Sequence, residues 1–184
     1  MNDYEYSSTG LALTRSFEGL RLEAYQDSGG IWTVGYGHTG PEVHAGLRIS
    51  EEQAVALLRD DLASAVRCVR RAVKVPLNQW QFDALVDFCF NAGPGNLLSS
   101  TLLHLVNRGE FEGATGQFGL WVHAGGRVIP GLVRRRAAEA ALFAGHGFPA
   151  SVSHATKENP HPSTEVGVPE PRTALAQTEG VTVL

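Results

Sequence analysis

Residues 50–75 contain neither glycine nor proline, and along them Ala54, Leu57, Leu58, Leu62, Ala65, Val66 and Val69 recur at helical spacing for about five turns. Ser50-Glu51-Glu52-Gln53 at the head of this run has the form of a capping box, in which Ser50 accepts from the Gln53 amide and the Gln53 side chain reaches back. Pro76 closes it. The pattern predicts a helix over about residues 50–72, roughly 33 Å long at 1.5 Å per residue. A helix of that length acts as a spine, and the chain on either side of it must build separate bodies. The expected organisation is a small mixed lobe over about residues 10–50 and a larger helical lobe over about residues 70–145.

The mixed lobe opens with a helix, since Leu13, Phe17 and Leu20 keep helical spacing until Gly19 interrupts it. Alternating β-branched and aromatic residues then take over at 22–26 and 31–36, with Asp27-Ser28-Gly29-Gly30 between them as the turn of a hairpin. Glu18 therefore falls in the last turn of the helix, Asp27 at the hairpin bend and Thr33 on the returning strand. Glycoside hydrolysis needs two carboxyl groups in different states, one protonated for the leaving oxygen and one ionised for the water or the sugar. Glu18 borders an apolar face beside Phe17, which favours the protonated form, and Asp27 lies in a polar turn that favours the ionised one. Thr33 Oγ1 is suited to hold a water between them.

Beyond the spine, Asn78 caps a helix whose apolar stripe is Phe82, Leu85, Val86, Cys89 and Phe90, and Gly93-Pro94 ends it. A short helix follows from Ser99-Ser100-Thr101 to Val106, then another from Phe111 to Trp121, weakened by Gly113, Gly116 and Gly119. Those glycines suggest close packing or mobility. Residues 124–130 read as a loop and residues 131–143 as a terminal helix, with Arg134, Arg135 and Arg136 on a solvated basic face and Arg135 four residues before Glu139.

The order Glu18, eight residues, Asp27, five residues, Thr33, then Gly35-Tyr36-Gly37-His38-Thr39, resembles the catalytic motif of the phage-type lysozymes, the muramidases of glycoside hydrolase family 24. The segments LNQWQFDALVDFCFNAG and PGLVRRRAAEAALF are similar to the same family, and together the matches cover about residues 10–145. The resemblance implies an α+β, mainly helical lysozyme-like fold. The implied enzyme is an endolysin that hydrolyses the β-1,4 bond between N-acetylmuramic acid and N-acetylglucosamine in peptidoglycan, without metal or other cofactor. Glu18 would be the general acid, and Asp27 with Thr33 would direct the water. By the same resemblance, Thr39, Phe90, Thr101 and Gln117 would contact the glycan, and His38 would tie the hairpin lobe to the spine through Asp61. An arginine of the last helix would meet Glu18, and alignment from Phe143 backwards favours Arg135 over its two neighbours. A lytic transglycosylase acting on the same bond and a non-catalytic wall-binding protein are the rival readings; the presence of Asp27 and Thr33 counts against the first, and retention of Glu18, Asp27 and Thr33 at the family spacing against the second.

Length and charge fit this reading. The full chain has 184 residues and a formal net charge of −4. Through residue 66 there are 4 basic and 10 acidic residues, whereas residues 67–145 carry 9 basic and 5 acidic, so the helical lobe is the basic one. Such an asymmetry favours an anionic polymer such as a bacterial wall. It argues less for nucleic acid, because the basic residues are not interleaved with exposed aromatics. Cys68 and Cys89 read as buried thiols on helices, and the seven scattered histidines form no ligand spacing for a metal.

The first ten residues, MNDYEYSSTG, lack the basic and apolar segments of an export signal, and no apolar run reaches membrane-spanning length. Accumulation in the host cytoplasm, release by a holin and a monomeric state are the corresponding expectations. Residues 146–184 hold five of the nine prolines and show no apolar periodicity, so a disordered tail is expected after a catalytic domain of residues 1–145.

Overall fold

The computed structural model describes residues 4–148; the expected tail from residue 149 onward lies outside the described residues. The fold is mainly helical with two small antiparallel sheets, as the α+β expectation has it. The spine is α2, Glu51–Ala72, and its start is fixed by both halves of the capping box. The Gln53 amide donates to Ser50 Oγ at 3.2 Å, and the Ser50 amide donates to Gln53 Oε1 at 2.8 Å.

Before the spine lie α1, Ser8–Glu18, and the hairpin of β1, Arg21–Gln26, and β2, Trp32–Gly35. Tyr25 pairs with Thr33 and Gln26 with Trp32, and the register shifts between Tyr25 and Arg21. Residues 47–49 return along the other edge of β1, where Ala24 donates to the Leu47 carbonyl and Ile49 to that of Leu22, each at 2.9 Å. β2 packs on the spine, and Tyr36 just after it is buried in the core that holds Ala54 and Leu58 of α2. Gly35 lies against the spine at φ 66°, where a Cβ would stand in ordinary contact with the Ala54 side chain at 3.4 Å, so it is the backbone conformation that favours glycine there.

The larger lobe is built around α3, Gln79–Ala92, which is capped at both positions of a second box by Asn78 and Gln81. The expected apolar stripe is too narrow a description of this helix. Phe82, Leu85, Val86, Phe88 and Cys89 have no exposure, and neither do Asp83 and Asp87, because α1, α2 and the last helix enclose α3 on several sides. Phe88 meets Phe118 and Trp121 edge to face, with centroids 5.7 and 5.4 Å apart. The N-terminal helix thus belongs to the far lobe: Leu11, Leu13 and Thr14 of α1 are buried in the core that contains α3.

Three local expectations are corrected. Pro94 does not simply end α3; it opens α4, Pro94–Ser99, where its missing amide and fixed φ suit the first turn. After α5, Thr101–Asn107, the predicted helix from Phe111 to Trp121 is shorter: α6 is Phe111–Gln117, followed by a 3-10 turn over Phe118–Leu120. A Cβ at Gly116 or Gly119 would meet nothing within 4 Å, so close packing does not explain those glycines. The expected loop at 124–130 contains a small hairpin of β3, His123–Ala124, and β4, Arg127–Val128. It turns at Gly125 and Gly126, whose φ values of 55° and 74° are those of a tight two-residue turn. The chain then enters α7, Pro130–Phe143.

Candidate active site

Glu18 is the last residue of α1, and Gly19 at φ 68° turns the chain out of the helix toward the hairpin. The carboxyl is thereby carried at the edge of the helical lobe, with only 13% of its side chain exposed. Arg135 Nη1 donates to Glu18 Oε1 at 2.6 Å, so the arginine that meets this carboxyl is the middle one of the three. Its guanidinium lies 5.7 Å from the centre of the Phe17 ring.

Arg135 does not lie on a solvated face. It is 4% exposed, Arg136 is 2% exposed and Glu139 is fully buried, so the solvated basic face holds for Arg134, which is exposed, and not for Arg135 or Arg136. The reason is the packing of α7 on α3, which supplies the missing polar partners from a helix far away in sequence. Arg135 Nε and Nη2 donate to the two oxygens of Asp87, both at 2.9 Å. Thr14 Oγ1 donates to Asp87 Oδ1 at 2.7 Å, and the Tyr6 hydroxyl lies 2.7 Å from Thr14 Oγ1. Arg136 Nη1 donates to Glu139 Oε1 at 2.5 Å and Nη2 to Asn91 Oδ1 at 2.5 Å, while its Nε donates to the Trp121 carbonyl at 3.1 Å.

Burial alone pushes the Asp87 carboxyl up, but the charge of Arg135 and the hydrogen bonds it receives outweigh that and hold it below the usual carboxylate range. Burial dominates at Glu139 instead and raises its carboxyl well above that range.

On the hairpin, Asp27 Oδ1 accepts from the Gly29 and Ile31 amides, both at 2.9 Å, which pins the carboxylate to the bend. Both bonds fall on one oxygen, leaving Oδ2 outside the turn network. Thr33 is 4% exposed and donates to the Ile31 carbonyl at 3.1 Å. Among the described residues, neither Asp27 nor Thr33 hydrogen-bonds Glu18; Asp27 and Thr33 are both held by the Ile31 backbone, and Glu18 by the distant Arg135.

His38 ties the chain after β2 to the spine. Its Nδ1 lies 3.0 Å from Asp61 Oδ1 on α2, and its Nε2 lies 2.6 Å from Glu42 Oε1. Burial disfavours the charged ring, but the bonds to Glu42 and Asp61 outweigh it and raise the His38 pKa. Of the proposed glycan contacts, Thr39 and Thr101 are exposed, and Phe90 and Gln117 are partly buried. No group of three or more metal-ligating side chains occurs among the described residues.

Asp87, Thr14, Tyr6, Asn91, Arg136 and Glu139 are absent from the sequence-based assignment of the site. A signal for one of them is visible: Asp87 interrupts an apolar helix face with a charge, four residues after Asp83.

The family model described as Phage lysozyme matches residues 15–139. The chain is 48% identical over 139 residues to an endolysin of Bacillus phage B103, a match that takes in 74% of this chain and 53% of that protein. It is 45% identical over 141 residues to an endolysin of Acyrthosiphon pisum secondary endosymbiont phage 1, covering 74% of this chain and 96% of the relative. The chain therefore spans about half the length of one relative and nearly all of the other. Among solved structures, a point mutant of P22 lysozyme is similar with a TM-score of 0.73 and 39% identity, over 77% of this chain and 99% of that one. The muramidase domain of SpmX from Asticaccaulis excentricus is similar with a TM-score of 0.70 and 43% identity, over 76% and 97% of the two chains. On the match of the family model to residues 15–139 and on these relatives, the chain belongs to the phage lysozyme family of glycoside hydrolases.

Proposed function

We propose that the protein is an endolysin that hydrolyses the β-1,4 bond between N-acetylmuramic acid and N-acetylglucosamine in peptidoglycan, with Glu18 as the general acid. The observation that carries this reading is the placement of Glu18 at the exit of α1, nearly buried and held by Arg135 at 2.6 Å, immediately before the hairpin that bears Asp27 and Thr33. Asp27 is fixed through Oδ1 and has Oδ2 available, which suits it to direct or stabilise the attacking water, with the Thr33 hydroxyl as the second contact. Thr39, Phe90, Thr101 and Gln117 are assigned to binding of the glycan strand, and Arg135 to support of Glu18.

The enzyme acts as a monomer on glycan strands, uses no cofactor, and accumulates in the host cytoplasm until a holin admits it to the wall. No helix among the described residues is long and apolar enough to cross a membrane, which fits a route that depends on another agent. The test is mass spectrometry of the soluble products from purified peptidoglycan, with Glu18→Gln run alongside. Water-added products ending in reducing N-acetylmuramic acid, absent with the variant, are expected. Anhydro-muramic ends would make the protein a transglycosylase, and wall binding without release would make it a binding protein.

A further inference from the structure

Asp87 is a charged side chain with no exposure, on a helix otherwise packed with apolar groups, and it touches Glu18 only through Arg135. A buried carboxylate is tolerated only where opposite charge and hydrogen bonds replace water. Asp87 has both. Arg135 gives it two parallel hydrogen bonds, and Thr14, itself fully buried, gives a third. The titratable and charged groups around this centre are Tyr6 from the N-terminal segment, Glu18 from α1, Asp83 from α3, and Arg135, Arg136 and Glu139 from α7.

The state of Glu139 follows from its contacts. Burial raises its carboxyl well above the usual range against the pull of Arg136 and Arg135, and the negative charge of Asp87 adds to that rise. Asp87 already accepts three donors, which stabilise its ionised form. Glu139 Oε1 accepts from Arg136, while its Oε2 is buried with no donor directed at it. The proton therefore resides on Glu139, and the negative charge on Asp87.

This bears on Glu18. An arginine whose sole anion was Glu18 would favour the carboxylate form of that residue, which cannot act as an acid. We propose that Asp87 is a positioning residue of the reaction: it supplies the buried counter-charge of Arg135, so that the guanidinium holds Glu18 in place while that carboxyl carries the proton it has to donate. The inference rests on Glu18 being the general acid, as proposed above. Thr14, with Tyr6 behind it, fixes Asp87 in turn, and the network runs from the N-terminal segment through α1, α3 and α7 to the reacting carboxyl.

Asp87→Asn keeps the shape and removes the charge, but Glu139 can then release its proton and supply the charge instead. The decisive variant is the double substitution D87N/E139Q, in which neither can do so. Release of soluble fragments from peptidoglycan is followed against pH for the full chain. In the double variant the alkaline limb of kcat/KM is expected to move toward acid by about one pH unit, leaving about tenfold less activity on that side. Activity at the acid end is retained, and D87N alone moves the limb less. Activity lowered in equal proportion at every pH, with the limb in place, would reduce Asp87 to a packing role and overturn the proposal. Carboxyl 13C titration of the wild-type protein decides the matter even if the variants do not fold. Asp87 ionised and Glu139 protonated across the active range is required, and the reverse assignment overturns the proposal. Full turnover by Glu18→Gln would instead condemn the general-acid assignment, whereas an inactive Glu18→Gln with an unmoved limb in D87N/E139Q would sink the role of Asp87 alone.

Discussion

Arg135 and Asp87, 48 residues apart in sequence, form a two-pronged ion pair in which both oxygens of the carboxylate are met at 2.9 Å and both side chains are buried. Removing one partner of such a pair strands the other in the core. Asp87→Ala is expected to cost about 3–5 kcal/mol of stability, measured by urea unfolding near neutral pH. The gap between wild type and variant has a definite pH dependence. Because the folded Asp87 carboxyl is held below its usual range, its contribution is present in full above the unfolded value of about 3.9 and is lost as pH falls through the folded value. A gap that instead grew with acid would contradict the assigned charge state.

The His38 bonds to Asp61 and Glu42 make the opposite prediction. The folded pKa of the imidazole is raised, so its contribution is complete below the unfolded value of about 6.5 and disappears as pH rises through the folded one. Wild type should therefore be more stable than His38→Asn in mildly acidic buffer, with the difference shrinking toward alkaline pH. Parallel denaturant titrations over that window would reveal it, and a difference independent of pH would show that the ring contributes by packing alone.

Thr33 combines near-complete burial with one local hydrogen bond, to the Ile31 carbonyl. Thr33→Ala should lower stability by only about 1 kcal/mol, the scale of one hydrogen bond. Turnover of peptidoglycan should fall far more than that small loss accounts for. Comparing melting temperature with specific activity checks this, and an active Thr33→Ala would remove Thr33 from the proposed water site.

Cys68 on α2 and Cys89 on α3 are free, buried and in side-chain contact with each other. Burial, aided by the neighbouring Cys68, pushes the Cys89 thiol up, which leaves little thiolate to react. A thiol reagent should label neither residue in the native protein at neutral pH, and both after unfolding, as read by intact mass. Rapid labelling of the folded chain would mean that α2 and α3 separate readily.

Features determined by neighbours in sequence were the legible ones. Ser50 with Gln53, Asn78 with its helix, and the Asp27 turn each draw their hydrogen bonds from within four residues, so short motifs announce them. The mainly helical fold was equally readable, because the spine is long and uninterrupted. Two-residue strands are too short to show a period, so β3 and β4 were hidden apart from their Gly125-Gly126 turn. Pro94 was ambiguous between ending one helix and beginning the next. The burial of Arg135 and Arg136 is hidden for a different reason: it depends on Asp87, Asn91 and the Trp121 carbonyl, partners that a helix surface does not reveal. Arg135 could be separated from Arg134 and Arg136 only by resemblance.

Glu18 and Arg135 are separated by 117 residues, and α1 packs among helices that lie on the other side of the spine. A chain emerging from the ribosome presents Glu18 early and cannot supply its guanidinium partner until α7 has been synthesised. The first helix must therefore wait, unpaired, for the last. Fragments that stop short of residue 135 carry Glu18, Asp27 and Thr33 without the arginine, and the completed network forms only from a nearly finished catalytic domain. The surroundings of this carboxyl therefore depend on the end of the domain as much as on its beginning.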